Sequence, residues 1–183
     1  MEINSSFWTG RSVFLTGHTG FKGGWLALWL TEMGAKVYGY SLEAPTNPNF
    51  FKITNLGHKI QNSVTGDICD LLGLTNSMQI AKPSVIFHMA AQPLVKKSYI
   101  NPIETFTTNI IGTINIFEAA RKIDTVEAIV NITTDKCYEN QEWDRPYHET
   151  DRLGGYDPYS SSKACSEIAT SAYRNSFLSE TGI

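Results

Sequence analysis

The chain has 183 residues, of which 42% are hydrophobic and 18% are charged, and its formal net charge at pH 7 is -3. This composition is typical of a folded globular domain and excludes a disordered or a fibrous chain. The basic residues are scattered, which excludes a concentrated positive face for nucleic acid or for an anionic membrane. The longest apolar run is too short to cross a bilayer and no signal peptide is recognisable, so we expect a cytoplasmic protein with small-molecule partners.

Short β-branched runs alternate with longer helix-like stretches, which predicts βαβ units and a doubly wound parallel sheet of the Rossmann type. The predicted strands lie at residues 12–16, 36–40, 64–67, 84–88 and 128–132. The predicted helices lie at residues 25–30, 71–80, 102–120 and 159–177, and a long loop is expected from residue 138 to 158. Another strand is expected near residues 179–183, so the sheet is predicted to be unfinished within this chain.

Three glycines with GxxGxxG spacing, Gly17, Gly20 and Gly23, stand between the first predicted strand and the first predicted helix. Glycine in such a turn allows a tight bend and a close approach to a pyrophosphate, whose charge the helix N-terminus stabilises. The pattern therefore predicts a dinucleotide-binding turn. A glycine-rich turn without a ligand is the alternative.

A tyrosine and a lysine, Tyr159 and Lys163, are four residues apart and therefore lie one helical turn apart on a common face. An ammonium beside a phenol is expected to lower the pKa of the phenol, so that it can take a proton from a sugar hydroxyl. The pair is a weak signal by itself. Its weight comes from its position at the start of the helix that follows the fifth strand.

A hydroxyl, a carboxyl and an amine follow one another in Thr134, Asp135 and Lys136, just after the fifth predicted strand. The carboxyl end of a strand is the side of an open α/β sheet where ligands bind. A strand-to-loop turn, in which the aspartate bonds to nearby backbone, explains the same residues without any chemistry.

Together with residues 88–95 and 155–167, these segments resemble the extended short-chain dehydrogenase/reductase family. Within it they resemble the sugar-nucleotide 4,6-dehydratases, above all the branch that acts on CDP-glucose. The resemblance implies NAD as cofactor, a nucleotide-sugar substrate, and a homodimer or higher homo-oligomer for the full-length protein. It also implies that residues 1–183 are an NAD-binding domain, truncated before its last strands, and that the C-terminal substrate-binding domain is absent from this chain.

The resemblance also implies roles for individual residues. The expected cofactor contacts are Gly17, Gly20, Phe21, Gly23, Asp67, Ile68, Ala90, Ala91, Gln92, Tyr159 and Lys163. Thr134 is expected to hydrogen-bond the 4-hydroxyl of the sugar, and Asp135 to protonate the leaving 6-hydroxyl. Lys136 stands where many such enzymes have a glutamate, and as the base at C5 it would need a depressed pKa.

The adenosine ribose has no obvious acidic partner, because the second strand ends without an acid at its tip. NAD is nevertheless expected rather than NADP, with Glu43 close enough in sequence to reach the ribose. His18 and Lys22 are candidates for a phosphate contact, although solvated loop positions explain them equally. His88 and His148 are interpreted as structural, the first hydrogen-bonded in the core and the second in a polar loop.

Two other functions remain open from the sequence. An epimerase or a reductase of the same family needs Tyr159 and Lys163 but not the pair Asp135 and Lys136. A nucleotide-binding fragment without turnover is the second. The three cysteines, Cys69, Cys137 and Cys165, are spaced neither for a CxxC pair nor for a metal site, so free thiols and no metal are expected, with Cys137 a small buried residue.

Overall fold

A five-stranded parallel sheet forms the centre of the computed structural model, which describes residues 5–178. The strands are β1 (Ser12–Thr16), β2 (Lys36–Ser41), β3 (Asn62–Thr65), β4 (Val85–His88) and β5 (Ala128–Asn131). Their order across the sheet is β3-β2-β1-β4-β5, with every neighbouring pair parallel. The strand order reverses at β1, and at such a point a parallel sheet opens a crevice at the carboxyl ends of its strands.

Helices follow the strands as the sequence predicted. They are α1 (Ser5–Trp8), α2 (Phe21–Glu32), α3 (Phe50–Ile53), α4 (Leu71–Ala81), α5 (Val95–Ile100), α6 (Pro102–Phe106), α7 (Gly112–Ala120) and α8 (Pro158–Tyr173), with π-helical turns at Thr107–Ile111 and Arg174–Leu178 and 3₁₀ turns at Leu56–His58 and Asp135–Cys137. Asp70 caps α4 by accepting hydrogen bonds from two backbone amides, and Gly34 follows the end of α2 with a positive φ of 86°. Both end signals were readable in the sequence.

Two hydrophobic cores hold the sheet between its helices. Val13 and Leu15 of β1 face α2, and Phe14 faces the helices on the other side, because successive strand residues point to opposite faces. Leu30 completes the first core and Met78 the second. The middle of β1, Val13 to Leu15, is therefore apolar on both faces, as a strand covered on both faces must be.

One predicted helix differs from the structure, and one predicted strand is not tested by it. The helix predicted at residues 102–120 is divided, since a π-helical turn separates Pro102–Phe106 from Gly112–Ala120. The strand expected near residues 179–183 lies outside the described residues. No helix within residues 5–178 is long and apolar enough to cross a membrane.

The predicted long loop, residues 138–157, folds back on itself beside the end of β5. Tyr138 pairs with Leu153 in an isolated antiparallel bridge. Farther out, the Arg145 guanidinium makes two hydrogen bonds to the carboxylate of Asp151, at 2.7 and 2.8 Å, and lowers the pKa of that carboxyl to about 2. These contacts hold the two arms of the loop together.

Candidate active site

The three glycines of the β1–α2 turn are required for three different reasons. Gly17 has a φ of +80°, and a Cβ there would lie 2.9 Å from the amide nitrogen of Ala90. A Cβ at Gly23 would lie 2.1 Å from the carbonyl oxygen of Gly17. At Gly20 a Cβ would contact only that same oxygen, at 3.3 Å, and otherwise open space. Gly17 and Gly23 therefore allow internal packing, whereas Gly20 faces the space that a ligand would fill.

This turn fits the pyrophosphate of a dinucleotide. Gly20 is the N-cap of α2 and supplies no side-chain hydrogen bond, so the first amides of the helix are available to an anion. The first turn of α2 contains no acidic residue, and Phe21 is 73% exposed beside it. Charge, shape and donor atoms at this helix end thus agree with the cofactor that the glycine spacing predicted.

The contrast between the two glycines gives a first prediction, which concerns stability. We expect Gly23→Ala to lower the free energy of unfolding by about 1–3 kcal/mol, because its Cβ collides with backbone that cannot move freely. Gly20→Ala should change it by less than about 1 kcal/mol, since the backbone at Gly20 suits any residue. Urea unfolding of the two variants measures both values. Equal losses would contradict the internal packing role given to Gly23.

The structure contradicts both roles that the sequence suggested for His18, the first residue after Gly17. Its ring is buried, with Nε2 2.8 Å from the hydroxyl of Ser63, and it lies over Gly39, where a Cβ would come within 2.5 Å of the ring. Burial lowers the pKa of His18 to about 4. His18 is therefore a neutral residue that packs the turn against β2 and β3, and it is neither a solvated loop residue nor a phosphate ligand. Lys22 is exposed.

The ends of β2 and β3 form the side of the crevice where the adenosine is expected. Thr19 makes hydrogen bonds with the hydroxyl of Ser41 at 2.6 Å and with the carbonyl of Leu42 at 2.8 Å, which ties the glycine turn to the tip of β2. Asp67 accepts the amide of Cys69 at 2.9 Å. Ile68 is only 4% exposed and its side chain packs in the core, so only its backbone is left for an adenine.

The segment after β4 lies next to the glycine turn, and two of its amides, those of Met89 and Ala90, donate to the hydroxyl of Thr16 at 3.1 Å. Ala91 follows, half-buried. Gln92 differs from the expectation, because its side-chain amide bonds within the protein, to the hydroxyl of Thr105 and to the backbone of the next turn. The Gln92 side chain therefore shapes this segment.

Tyr159 and Lys163 lie together at the start of α8, and both are buried. Lys163 donates to the carbonyl of Ile132 at 3.0 Å, and burial lowers its pKa to about 8. The pKa of Tyr159 is raised, chiefly by burial, with a hydrogen bond from Thr134 acting in the opposite direction and the charge of Asp135 adding to the rise. The predicted lowering of the Tyr159 pKa by Lys163 is thus wrong for this structure, where burial and nearby carboxylates dominate.

Two of the predicted groups after β5, Thr134 and Asp135, lie close enough to Tyr159 to influence its pKa. Thr134 caps the 3₁₀ turn by accepting the amide of Lys136 at 3.3 Å, and its hydroxyl lies 3.0 Å from a carboxylate oxygen of Asp135. Asp135 and Lys136 are exposed. Cys137 is buried and inward-facing, and burial raises its thiol pKa to about 11, as suits the predicted packing residue.

A cavity of about 300 Å³ opens beside these groups. Besides Asp135 and Lys136, its walls include Val95, Tyr138, Asn140, Tyr147, Tyr156 and Asp157. The volume lies at the lower end of the range for small-molecule sites. A larger, open depression of about 830 Å³ lies at the opposite end of the strands, beside the ion pair of Arg11 and Glu127. It is remote from the glycine turn, so the smaller cavity is the candidate substrate site.

A buried chain of hydrogen bonds joins the glycine turn to α8. The Thr16 oxygen accepts two backbone amides, so its single proton is directed to Nδ1 of His88, at 2.8 Å. His88 must then carry its proton on Nε2, which lies 3.1 Å from the hydroxyl of Thr113. That hydroxyl in turn lies 3.1 Å from Ser166 of α8. The predicted core histidine is confirmed, and burial together with the charge of Lys163 lowers its pKa to about 3.

Asn109 is a structural determinant that the sequence prediction missed. It lies in the π-helical turn. Its side-chain oxygen accepts a hydrogen bond from the backbone amide of Gln92 at 2.8 Å, and its side-chain nitrogen donates to the hydroxyl of Ser162 at 2.8 Å. Asn109 thus connects the segment after β4 to α8. A buried asparagine in an apolar helix was a usable signal. The π-turn that directs it inward was not readable from a 3.6-residue period.

The parallel sheet, the glycine turn at its switch point and the buried pair Tyr159 and Lys163 define a Rossmann-type domain of the short-chain dehydrogenase/reductase class. Residues 14–181 match the family model described as GDP-mannose 4,6 dehydratase. The chain belongs to that family. It is 54% identical over 176 residues to the CDP-glucose 4,6-dehydratase of Salmonella typhimurium, covering 96% of this chain and 49% of that protein.

More distant relatives include an epimerase. The UDP-glucose 4-epimerase of Mycolicibacterium smegmatis is 32% identical, with 88% of this chain and 50% of that protein covered. Among solved structures, the Thermus thermophilus UDP-glucose 4-epimerase in complex with NAD is 28% identical, with a TM-score of 0.79 over 91% of this chain and 51% of that chain. The chain thus spans about half the length of the relatives it matches.

Proposed function

We propose that residues 1–183 are the NAD-binding domain of a longer protein that dehydrates CDP-D-glucose to CDP-4-keto-6-deoxy-D-glucose. The placement of Thr134 and Asp135 near Tyr159, with Lys136 next to Asp135 at the same cavity, carries this proposal, because an elimination of water needs an acid and a base in addition to the tyrosine. The identity with the Salmonella enzyme supports CDP as the nucleotide. An oligomer of the full-length protein is part of the same proposal.

Bound NAD would supply the redox chemistry, taking a hydride from C4 of the sugar and returning it at C6. The residues of the chain would move the protons. Tyr159 would remove the proton of the 4-hydroxyl, to which Thr134 also hydrogen-bonds. A ketone at C4 acidifies the C5 hydrogen, which Lys136 would remove, while Asp135 would protonate the 6-hydroxyl as it leaves as water. NAD would be held by the glycine turn, with Asp67, Ala90 and Ala91 along the crevice.

Incubation of the full-length protein with CDP-glucose tests this function. The proposal predicts a product with the alkaline absorbance of a 4-keto sugar and with the mass of one water fewer. UDP-glucose and dTDP-glucose serve as controls for the nucleotide. A product of unchanged mass would identify an epimerase instead, and the absence of any product alongside normal NAD binding would favour a binding domain without turnover.

Cofactor binding itself gives a second prediction. We expect Gly20→Val to weaken NAD binding by at least about tenfold, or ~1.4 kcal/mol, because the branched side chain occupies the space beside the helix N-terminus. Glu32→Val, an exposed change near the other end of the same helix, is the matched control and should bind like the parent. Isothermal calorimetry measures all three proteins. Parent-like affinity in Gly20→Val would mean that the cofactor lies elsewhere.

A further inference from the structure

Glu167 is a half-buried carboxylate to which the proposed chemistry gives no role. It follows Lys163 by four residues on α8, so the two side chains lie on one face of the helix. Across from α8, the hydroxyl of Thr133 donates a hydrogen bond to Oε1 of Glu167. Thr133 immediately precedes the three residues that are expected to act on the sugar. Glu167 thus contacts the end of β5 through Thr133 and lies one helical turn from Lys163.

The electrostatics around Lys163 show why a carboxylate matters there. Lys163 is buried, and burial lowers its pKa to about 8, while the charge of Glu167 is the largest influence that raises it. Cys137 acts in the same direction more weakly. The other titratable groups at this point are His88, which is neutral because its own pKa is about 3, and the phenol of Tyr159 on the same helix. Glu167 is therefore the principal counter-charge of the ammonium.

The hydrogen bond to Thr133 has a separate consequence. Thr133 is one residue from Thr134, whose hydroxyl bonds to Tyr159, and the carbonyl of Ile132 on its other side accepts from Lys163. Fixing Thr133 on α8 therefore fixes the distance between the end of β5 and the helix that carries Tyr159. A shift of about 1 Å in such a register is enough to cost a large factor in rate.

We propose that Glu167 is a positioning residue that supplies the counter-charge of the Lys163 ammonium and holds the end of β5 in register with Tyr159 through Thr133. The first half concerns the chain alone and does not depend on the substrate. The second half rests on the proposed function, because it is measured as turnover of CDP-glucose.

The charge half is tested by NMR titration of protein containing [ε-¹³C]lysine, with the Lys163 signal assigned by its loss in Lys163→Arg. We expect the titration midpoint of Lys163 to lie near pH 8 in the parent and about one pH unit lower in Glu167→Gln. Thr133→Val keeps the carboxylate and should keep the parent midpoint. An unchanged midpoint in Glu167→Gln would overturn this half of the proposal, whether or not CDP-glucose is the substrate.

The register half is tested by the turnover of the full-length protein. Thr133→Val should lower kcat at least about tenfold with little change in KM, and Thr133→Ser, which retains the hydroxyl, should restore it. In Glu167→Gln the alkaline limb of the pH profile should also move to lower pH, because the ammonium is lost earlier. A Thr133→Val enzyme with the kcat of the parent would overturn this half. If Glu167→Gln does not fold, Glu167→Asp, which keeps the charge, and Thr133→Val still decide between the two contributions.

Discussion

Asp135→Asn in the full-length protein should slow the release of water by about 10²–10⁴-fold, the usual effect of losing a positioned proton donor. Oxidation at C4 does not use this carboxyl, so a CDP-4-ketohexose that still carries its 6-hydroxyl should accumulate. Trapping with borodeuteride and mass spectrometry of the sugar would detect it. Because Lys136 is intact, the C5 hydrogen of the trapped sugar should also exchange with deuterium from the solvent.

The matched control for Asp135→Asn is Lys136→Met, which leaves the acid in place and removes the proposed base. It should also accumulate the 4-ketohexose, but without deuterium at C5. Formation of product at the parent rate in Asp135→Asn would overturn the acid role of that residue. Normal deuterium exchange in Lys136→Met would assign the base to another group.

Tyr159→Phe should abolish the reaction at its first step, with a loss of about 10²–10⁴-fold in the oxidation at C4. The phenol oxygen is the group placed to receive the 4-hydroxyl proton, and phenylalanine retains the ring and its packing. The variant should therefore bind NAD with nearly the affinity of the parent and should release neither the 4-ketohexose nor the dehydrated product. Mass spectrometry after a single turnover, with calorimetry as the control for binding, measures both.

The raised pKa of Tyr159 sets the pH dependence of that step. Burial and the charge of Asp135 favour the neutral phenol, so the tyrosinate form of Tyr159 is weakly populated at neutral pH. The parent rate of oxidation should therefore increase with pH until the ammonium of Lys163 is lost, near its pKa of about 8. A rate that falls steadily from pH 6 to pH 8 would contradict the assignment of Tyr159 as the base.

Much of the fold was readable because its signals are local. The run of residues 12–16 predicts a buried strand from consecutive residues alone. Asp70 caps the helix that begins at the next residue, so this signal is also local. The position of the glycine turn followed from the same strand–turn–helix order. The ends of β2, β3, β4 and β5 differed from the prediction by one or two residues, because the last pairings depend on neighbouring strands.

What the sequence did not reveal depends on residues far apart in the chain. His18 was misread because the space that receives its ring is created by Gly39 on the next strand. The direction of the Tyr159 pKa shift was misread because the surrounding charges come from a different segment, at Asp135. Asn109, which lies in the π-helical turn, hydrogen-bonds to Gln92, and the hydrophobic periodicity of the sequence does not predict that turn. The burial of a site residue and the charges around it depend on residues from distant parts of the chain.

The elimination itself can be followed with one labelled substrate. The full-length protein would be supplied with CDP-glucose carrying deuterium at C4, and the sugar product would be examined by NMR. A 4,6-dehydratase moves that atom within the sugar, so the deuterium is expected at C6 of a 4-keto-6-deoxy product. Deuterium that remains at C4 of a sugar inverted at C4, with its 6-hydroxyl intact, would contradict the account and would show an epimerase.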